Sequence, residues 1–168
     1  MLRVIFDTNI YGFLIKEPDA GVIERKIRED KEFKVYGYQP IRKEIAAIPK
    51  VTKLSKKTRI LLLELYDRIT GDHFLKDSIK ITHLAKQYYD HYRSIGGIYG
   101  WDTSIRVDFM IVACASFYGL DIVYSADSKT LLGKESLKAY KHINLKENLR
   151  SPDFLKYDDL LNKFRSLM

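Results

Sequence analysis

One cysteine, Cys114, is all that this 168-residue sequence contains, which excludes a disulfide framework and every cysteine-based zinc site. No apolar run approaches the ~18 residues of a membrane span. The opening MLRVIFDTN is broken by Asp7 too early for a secretory signal peptide. The four histidines, His73, His83, His91 and His142, show no metal-ligand spacing. Gly96, Gly97 and Gly100 match neither Gly-x-Gly-x-x-Gly nor Gly-x-x-x-x-Gly-Lys, so nothing supports a nucleotide-cradling loop. There is no internal repeat, linker or low-complexity tract. These absences leave one domain over residues 1–168, expected to be cytoplasmic with no membrane association, and long enough to fold on its own core.

What is there is ordinary in bulk and uneven in detail. Hydrophobic residues make up 46% and charged residues 30%, which excludes extensive disorder. Lys and Arg number 29 against 22 Asp and Glu, for a net charge of +7. A basic surface draws in polyanions, although the same excess also serves solubility. Between Glu44 and Glu64 no acid occurs, while Lys50, Lys53, Lys56, Lys57 and Arg59 all fall there. A basic run of this density is expected to track nucleic-acid phosphates.

Residues 2–6 read as a buried strand ending at Asp7. Thr8 or Asn9 is expected to cap a helix carrying Tyr11, Phe13, Leu14 and Ile15. Glu17-Pro18-Asp19 breaks it, and a second helix sets Val22, Ile23 and Ile27 on one face. Residues 33–38 read as a second strand. Pro40 opens a helix with Ile41, Ile45 and Ile48 on one face, Glu44 off that stripe, and Pro49 as its stop. Residues 55–70 predict an amphipathic helix with Leu61, Leu62, Leu65 and Ile69 inward. A third strand is predicted over 78–82, a helix over 83–94 and a loop over 94–100. Helix resumes near Ser104 and stops at Gly119. Residues 121–125 read as a strand, with a short helix after Asp127 and a last strand over 140–145. A terminal helix over 154–167 buries Leu160, Leu161 and Phe164, as a helical extension from about 150. Strands alternating with helices predict an α/β fold with a parallel sheet covered on both faces. Ligands of such sheets bind beyond the carboxyl ends of the strands, where Asp7 and Asp127 fall.

Each acid in this region has an ordinary structural explanation as well. Asp7 after a strand suits a helix cap. Asp108 opens Phe-Met-Ile-Val-Ala-Cys-Ala and therefore sits at the edge of core, where an acid is costly without a partner. Glu44 lies beside Arg42 and Lys43. Asp102 suits a turn. Trp101 is open to packing or to stacking on a base. Tyr88, Tyr89 and Tyr92 suit packing or a homodimer surface, and Cys114 suits the core.

Taken together and in order, four segments resemble the PIN-domain nucleases. Val4-Ile5-Phe6-Asp7-Thr8-Asn9 is similar to that family's opening strand with its Asp-x-Asn signature. Ile41-Arg42-Lys43-Glu44-Ile45 resembles the helix bearing its glutamate. Asp108 through Ala115 resembles its Asp-x-x-Ile-x-Ala-x-Ala helix, and Ile122-Val123-Tyr124-Ser125-Ala126-Asp127 its late strand. The resemblance implies a three-layer α/β/α sandwich with a mostly parallel sheet of about five strands. It also implies a metal-dependent endoribonuclease in which Asp7, Glu44, Asp108 and Asp127 hold Mg²⁺ or Mn²⁺, supported by Asn9 and Ser125. Two carboxylates ~5 Å apart repel by about 3 kcal/mol at an effective dielectric of 20, so such a cluster calls for a cation or a proton. Oxygen-only ligands favour Mg²⁺ or Mn²⁺, and such an ion lowers the pKa of the water it holds. VapC-type toxins held by an antitoxin protein and ribosomal-RNA-processing enzymes are both members of the family. The glycine loop before Asp108 departs from the family pattern, and Asp102 within it is a further candidate ligand.

Two other functions compete. A haloacid-dehalogenase-like phosphatase also opens on an apolar strand ending in Asp, but needs an acid two residues on, where this chain has Asn9. A catalytically silent PIN-like RNA-binding or scaffold protein needs none of the acids, whereas all four positions here are acidic.

Overall fold

The computed structural model describes residues 1–48 and 53–166, with side chains 53–55 left aside. Its centre is a five-stranded sheet in the order β3-β2-β1-β4-β5, formed by Leu2–Phe6 (β1), Phe33–Tyr38 (β2), Phe74–Leu75 (β3), Ile122–Tyr124 (β4) and Asp153–Leu155 (β5). Every pairing is parallel. The central strands read as continuous apolar runs because both faces are covered: Val4, Ile5, Phe6 and Val123 are fully buried. The edge strands β3 and β5 are only two and three residues long, which limits the unpaired backbone they present.

Eight helices flank the sheet among the described residues: Thr8–Leu14 (α1), Ala20–Glu29 (α2), Gln39–Ala46 (α3), Lys53–Thr70 (α4), Ile79–Ser94 (α5), Ile105–Phe117 (α6), Lys134–Lys146 (α7) and Tyr157–Arg165 (α8). α5 packs on both α6 and α7, while α2 packs on α4 and α8. The result is the three-layer α/β/α sandwich. α6 is the innermost helix. Nine of its thirteen residues are buried, as expected for a helix apolar on all sides. No described helix is long and apolar enough to cross a membrane.

Several predicted elements are corrected. Residues 78–82 are not a strand but the start of α5, with Ser78 as its N-cap accepting a hydrogen bond from the Ile81 amide. Five alternating residues fit either period; burial of Ile81, Leu84, Ala85, Tyr88 and Tyr92 shows the helical one. Residues 140–145 lie inside α7, where Ala139, Tyr140, Ile143 and Asn144 are buried at helical spacing. The fifth strand is β5, which occupies the start of the predicted terminal helix. The segment after Asp127 turns, and helix begins only after Gly133. A Cβ at that glycine would stand 2.7 Å from the Lys129 carbonyl oxygen. Leu61 and Val22 face outward, 42% and 39% exposed. Asp7, rather than Thr8 or Asn9, caps α1. Pro49 lies outside the described residues.

Strand order places the site. From β1 the chain fills the sheet one way through β2 and β3, then crosses back to add β4 and β5 on the other side. The order reverses between β1 and β4, and a crevice opens there beyond their carboxyl ends. Asp7 is the first residue after β1, and Ser125 is the first after β4.

Candidate acidic active site

The β1–β4 ladder carries Asp7 and Ser125 to each other. Phe6 pairs with Tyr124, and the Asp7 amide donates to the Tyr124 carbonyl at 2.9 Å. One residue further, Ser125 Oγ donates to Asp7 Oδ2 at 2.7 Å. The other oxygen, Oδ1, accepts from the Thr8 amide at 2.7 Å. Asn9, in the first turn of α1, accepts from the Ala126 amide through Oδ1 at 3.2 Å, clipping the post-β4 loop to α1. Ser125 Oγ also accepts from the Asp127 amide at 3.0 Å. Of the two expected supporting residues, Ser125 bonds the Asp7 carboxylate and the Asp127 amide, while Asn9 bonds the Ala126 amide and no acid.

Asp127 stays ordered through a local turn: its Oδ1 accepts from the amides of Lys129 and Thr130 at 2.9 and 3.0 Å. Asp108 arrives from the first turn of α6 and is 4% exposed. Glu44, half-buried on α3, reaches the same place because α3 packs on α6.

Ser125 ties Asp7 to the Asp127 backbone and Thr130 ties Asp108 to Asp127, while Glu44 is near enough for its charge to raise both Asp7 and Asp108. Burial, then the charge of Glu44, then that of Asp127, push the Asp7 carboxyl up to about 6 against the pull of the Ser125 and Thr8 hydrogen bonds. Burial pushes Asp108 up to about 8, helped by the charges of Asp7, Asp127 and Glu44. Among the described residues, none of the four carboxylates is in a salt bridge.

One participant escaped the sequence reading. Thr130 Oγ1 lies 2.5 Å from Asp108 Oδ2 and within hydrogen-bonding distance of Asp127 Oδ2 as well. A hydroxyl has one hydrogen, so Thr130 donates to one of the two carboxyl groups at a time and ties Asp108 to Asp127. The available signal was a threonine three residues after an Asp at a strand end, the spacing of a local side-chain turn. Among the described residues no three acidic, histidine or cysteine side chains are already drawn together as a ligand set; the Ser125 and Thr130 hydroxyls stand between the carboxylates. The donor chemistry nevertheless fits a hard divalent cation: oxygen-only, anionic and without a basic partner among the described residues.

One groove is lined by Glu44, and a second by Ala126 and Ser128, the chain neighbours of Asp127. The first, of about 420 Å³, is lined by Glu44, Lys43, Arg106, Trp101 and Met110 among others. The second, of about 350 Å³, is lined by Phe13, Ala126, Ser128, Leu132, Lys156 and Tyr157, with Asp158. A larger groove of about 480 Å³ around Ile79, Phe117 and Leu149 contains none of the four acids. Trp101 both packs and lines the first groove. Its amide donates to Tyr89 Oη at 3.0 Å, and Lys86 Nζ lies 4.8 Å from its ring centre. The glycine loop is pinned to α5, with the Tyr99 amide donating to Tyr92 Oη at 3.2 Å. A Cβ on Gly97 would fall 2.4 Å from the Tyr92 ring. Asp102 is exposed in the turn before α6.

The basic run is only partly as expected. Lys56 and Lys57 are exposed, but Arg59 is 8% exposed, so its guanidinium is not offered to a polyanion at the surface. Lys50 and the side chain of Lys53 lie outside the described residues. Cys114 is buried in α6. Tyr88 is buried and hydrogen-bonded to Asn144. His91 and His142, far apart in sequence, do meet, with rings stacked at 4.0 Å.

No protein-family model matches the chain, and no curated protein matches it. The reading of the site therefore rests on its own chemistry.

Proposed function

We propose that the chain is a metal-dependent endoribonuclease of the PIN-domain type, hydrolysing RNA phosphodiester bonds at Asp7, Glu44, Asp108 and Asp127. The observation that carries this reading is the convergence of four acids from four separate elements at the sheet's switch point, with no cationic partner among the described residues. Asp7, Glu44, Asp108 and Asp127 are the residues that would hold Mg²⁺ or Mn²⁺. When bound, such an ion supplies Lewis-acid activation of water and offsets charge on the phosphate. The protein side is orientation. Ser125 fixes Asp7, Thr130 couples Asp108 to Asp127, and Asn9 holds the loop between Ser125 and Asp127. Lys43 and Arg106, exposed beside Glu44, offer positive charge to the flanking phosphates, with Trp101 as an aromatic neighbour.

The test is cleavage of an end-labelled single-stranded RNA in Mg²⁺ or Mn²⁺, with and without EDTA. Cleavage that needs the ion and stops on chelation bears the reading out. Salt-sensitive RNA binding without cleavage in either ion points to the silent RNA-binding alternative. Thr130→Val keeps the shape of the side chain and removes the hydroxyl. It is expected to lower cleavage by roughly 10- to 100-fold, the cost of losing a ligand-orienting partner, with Thr130→Ser restoring most of it. Equal initial rates for wild type and Thr130→Val would remove Thr130 from the site.

A further inference from the structure

We infer that the groove formed by Phe13, Tyr157, Lys156 and the Ala126–Ser128 loop is a nucleobase subsite, taking a base adjoining the phosphate held at the acidic cluster. The inference rests on the nuclease reading and adds to it where the strand runs. α1 links the two places. Asp7 caps its start, Asn9 lies in its first turn, and Phe13 is four residues beyond Asn9 on the same face. Six residues at 1.5 Å each set the Phe13 backbone about 9 Å along the helix axis from Asp7, within reach of a neighbouring nucleotide. The groove wall is continuous with the site, because Ala126 and Ser128 flank Asp127 in the loop that Asn9 clips down.

Its chemistry suits a base. Phe13 is 45% exposed, a large aromatic left open beside a polar cluster. Its ring centre lies 5.2 Å from that of Tyr157 at an interplanar angle of 30°, so the two rings are packed offset against each other and a base on the exposed Phe13 ring would extend the pair. Tyr157 is braced: its hydroxyl donates to Glu17 Oε1 at 2.8 Å, while Arg165 holds Glu17 Oε2 at 2.7 Å and Asp19 at 2.9 Å. A pair held in this way loses little side-chain entropy when a base stacks on it. Lys156, exposed at the groove, supplies charge for the phosphate of that nucleotide. An aromatic platform with a basic flank is the arrangement that binds single strands without base-specific hydrogen bonds.

The experiment measures binding by fluorescence anisotropy with a short labelled single-stranded RNA. An Asp7→Asn background keeps the strand whole. Phe13→Ala is expected to weaken binding by roughly 5- to 150-fold, the range for losing one stacked base, and Phe13→Trp to retain it. A series of the same RNA, abasic at one position at a time, should contain one member that binds the Phe13-intact protein as weakly as whole RNA binds Phe13→Ala. For that member, Phe13→Ala should cost nothing more. Because Phe13 is exposed, unchanged thermal melting is expected and separates this loss from misfolding. RNA binding that is tight and indifferent to both Phe13→Ala and every abasic position overturns the subsite and leaves the nuclease reading standing. No RNA binding by either protein overturns both.

Discussion

Asp7→Asn is expected to lower metal-dependent RNA cleavage by more than about 100-fold, because loss of a ligand-orienting partner already costs roughly 10- to 100-fold and Asp7 is proposed as a ligand itself. The same substitution is expected to leave the metal-free protein at least as stable as wild type at pH 7. Asparagine keeps the size of the side chain. Its oxygen still accepts from the Thr8 amide, while the hydrogen bond from the Ser125 hydroxyl to Asp7 Oδ2 is lost, a cost of about 1 kcal/mol. What disappears is a charge that burial and neighbouring acids hold at a pKa of about 6 instead of the ordinary value near 3.8. At pH 7 that relief is worth up to about 3 kcal/mol at 1.36 kcal/mol per unit. Activity lost while stability is kept or gained marks a functional acid. A purely structural cap would move both downward. Parallel cleavage and urea-unfolding assays of the two proteins decide it, and full cleavage by Asp7→Asn would take the reaction away from this cluster.

The metal-free protein is expected to lose stability as pH rises from about 5 to 8, and a divalent cation to reverse that loss. Asp7 and Asp108 have folded pKa values of about 6 and about 8, both above the ~3.9 of an unfolded-chain Asp. Over this window the folded state keeps protons that the unfolded state has released. Their contribution is therefore fully present below about pH 4 and is lost as pH passes through the two folded values. Asp19, lowered by its hydrogen bond from Arg165, and Asp121, lowered first by the Arg3 amide, have the opposite sign. Their contributions are lost only as pH falls below about 4, so they are constant from pH 5 upward. His91, lowered by burial and then by the charge of His142, gains stability as pH rises towards the ordinary His value of ~6.5 and partly offsets the loss, so the melts are compared with those of His91→Gln. Mg²⁺ or Mn²⁺ at about 100 times its Kd should add about 2.7 kcal/mol, or roughly 5–11 °C in Tm for a chain of this size. The gain should be larger at pH 8 than at pH 5, where protons compete for the same carboxylates. Thermal melts in EDTA and in each cation, at several pH values, measure both effects. Melts that are flat with pH and indifferent to both cations would mean that the acids carry no unmet charge.

How much of this was legible varied with the range of the physics involved. Apolar runs ending in acids marked β1 and β4. The turn at Gly119 marked the end of α6. All of these are local signals, since strand period, capping and breaker residues act over a few positions. The alternation over 78–82 misled because five residues fit a strand and the first turn of a helix equally well. The apolar residues of 140–145 misled because their burial on α5 could not be seen from the segment alone. Thr130 was passed over because a hydroxyl gains its meaning from the acids it joins, one of them 22 residues away.

The sequence by itself determined the alternation of strands and helices and the absence of disulfides within the chain, because composition and periodicity are properties of the chain; the four acids were proposed from a resemblance to the PIN-domain nucleases. Only the tertiary structure decided that strand order reverses between β1 and β4, that α3 packs against α6, and that Ser125 and Thr130 stand between the carboxylates. Those facts depend on pairings between residues up to 118 positions apart. Local patterning does not specify such pairings; the burial of a shared core does.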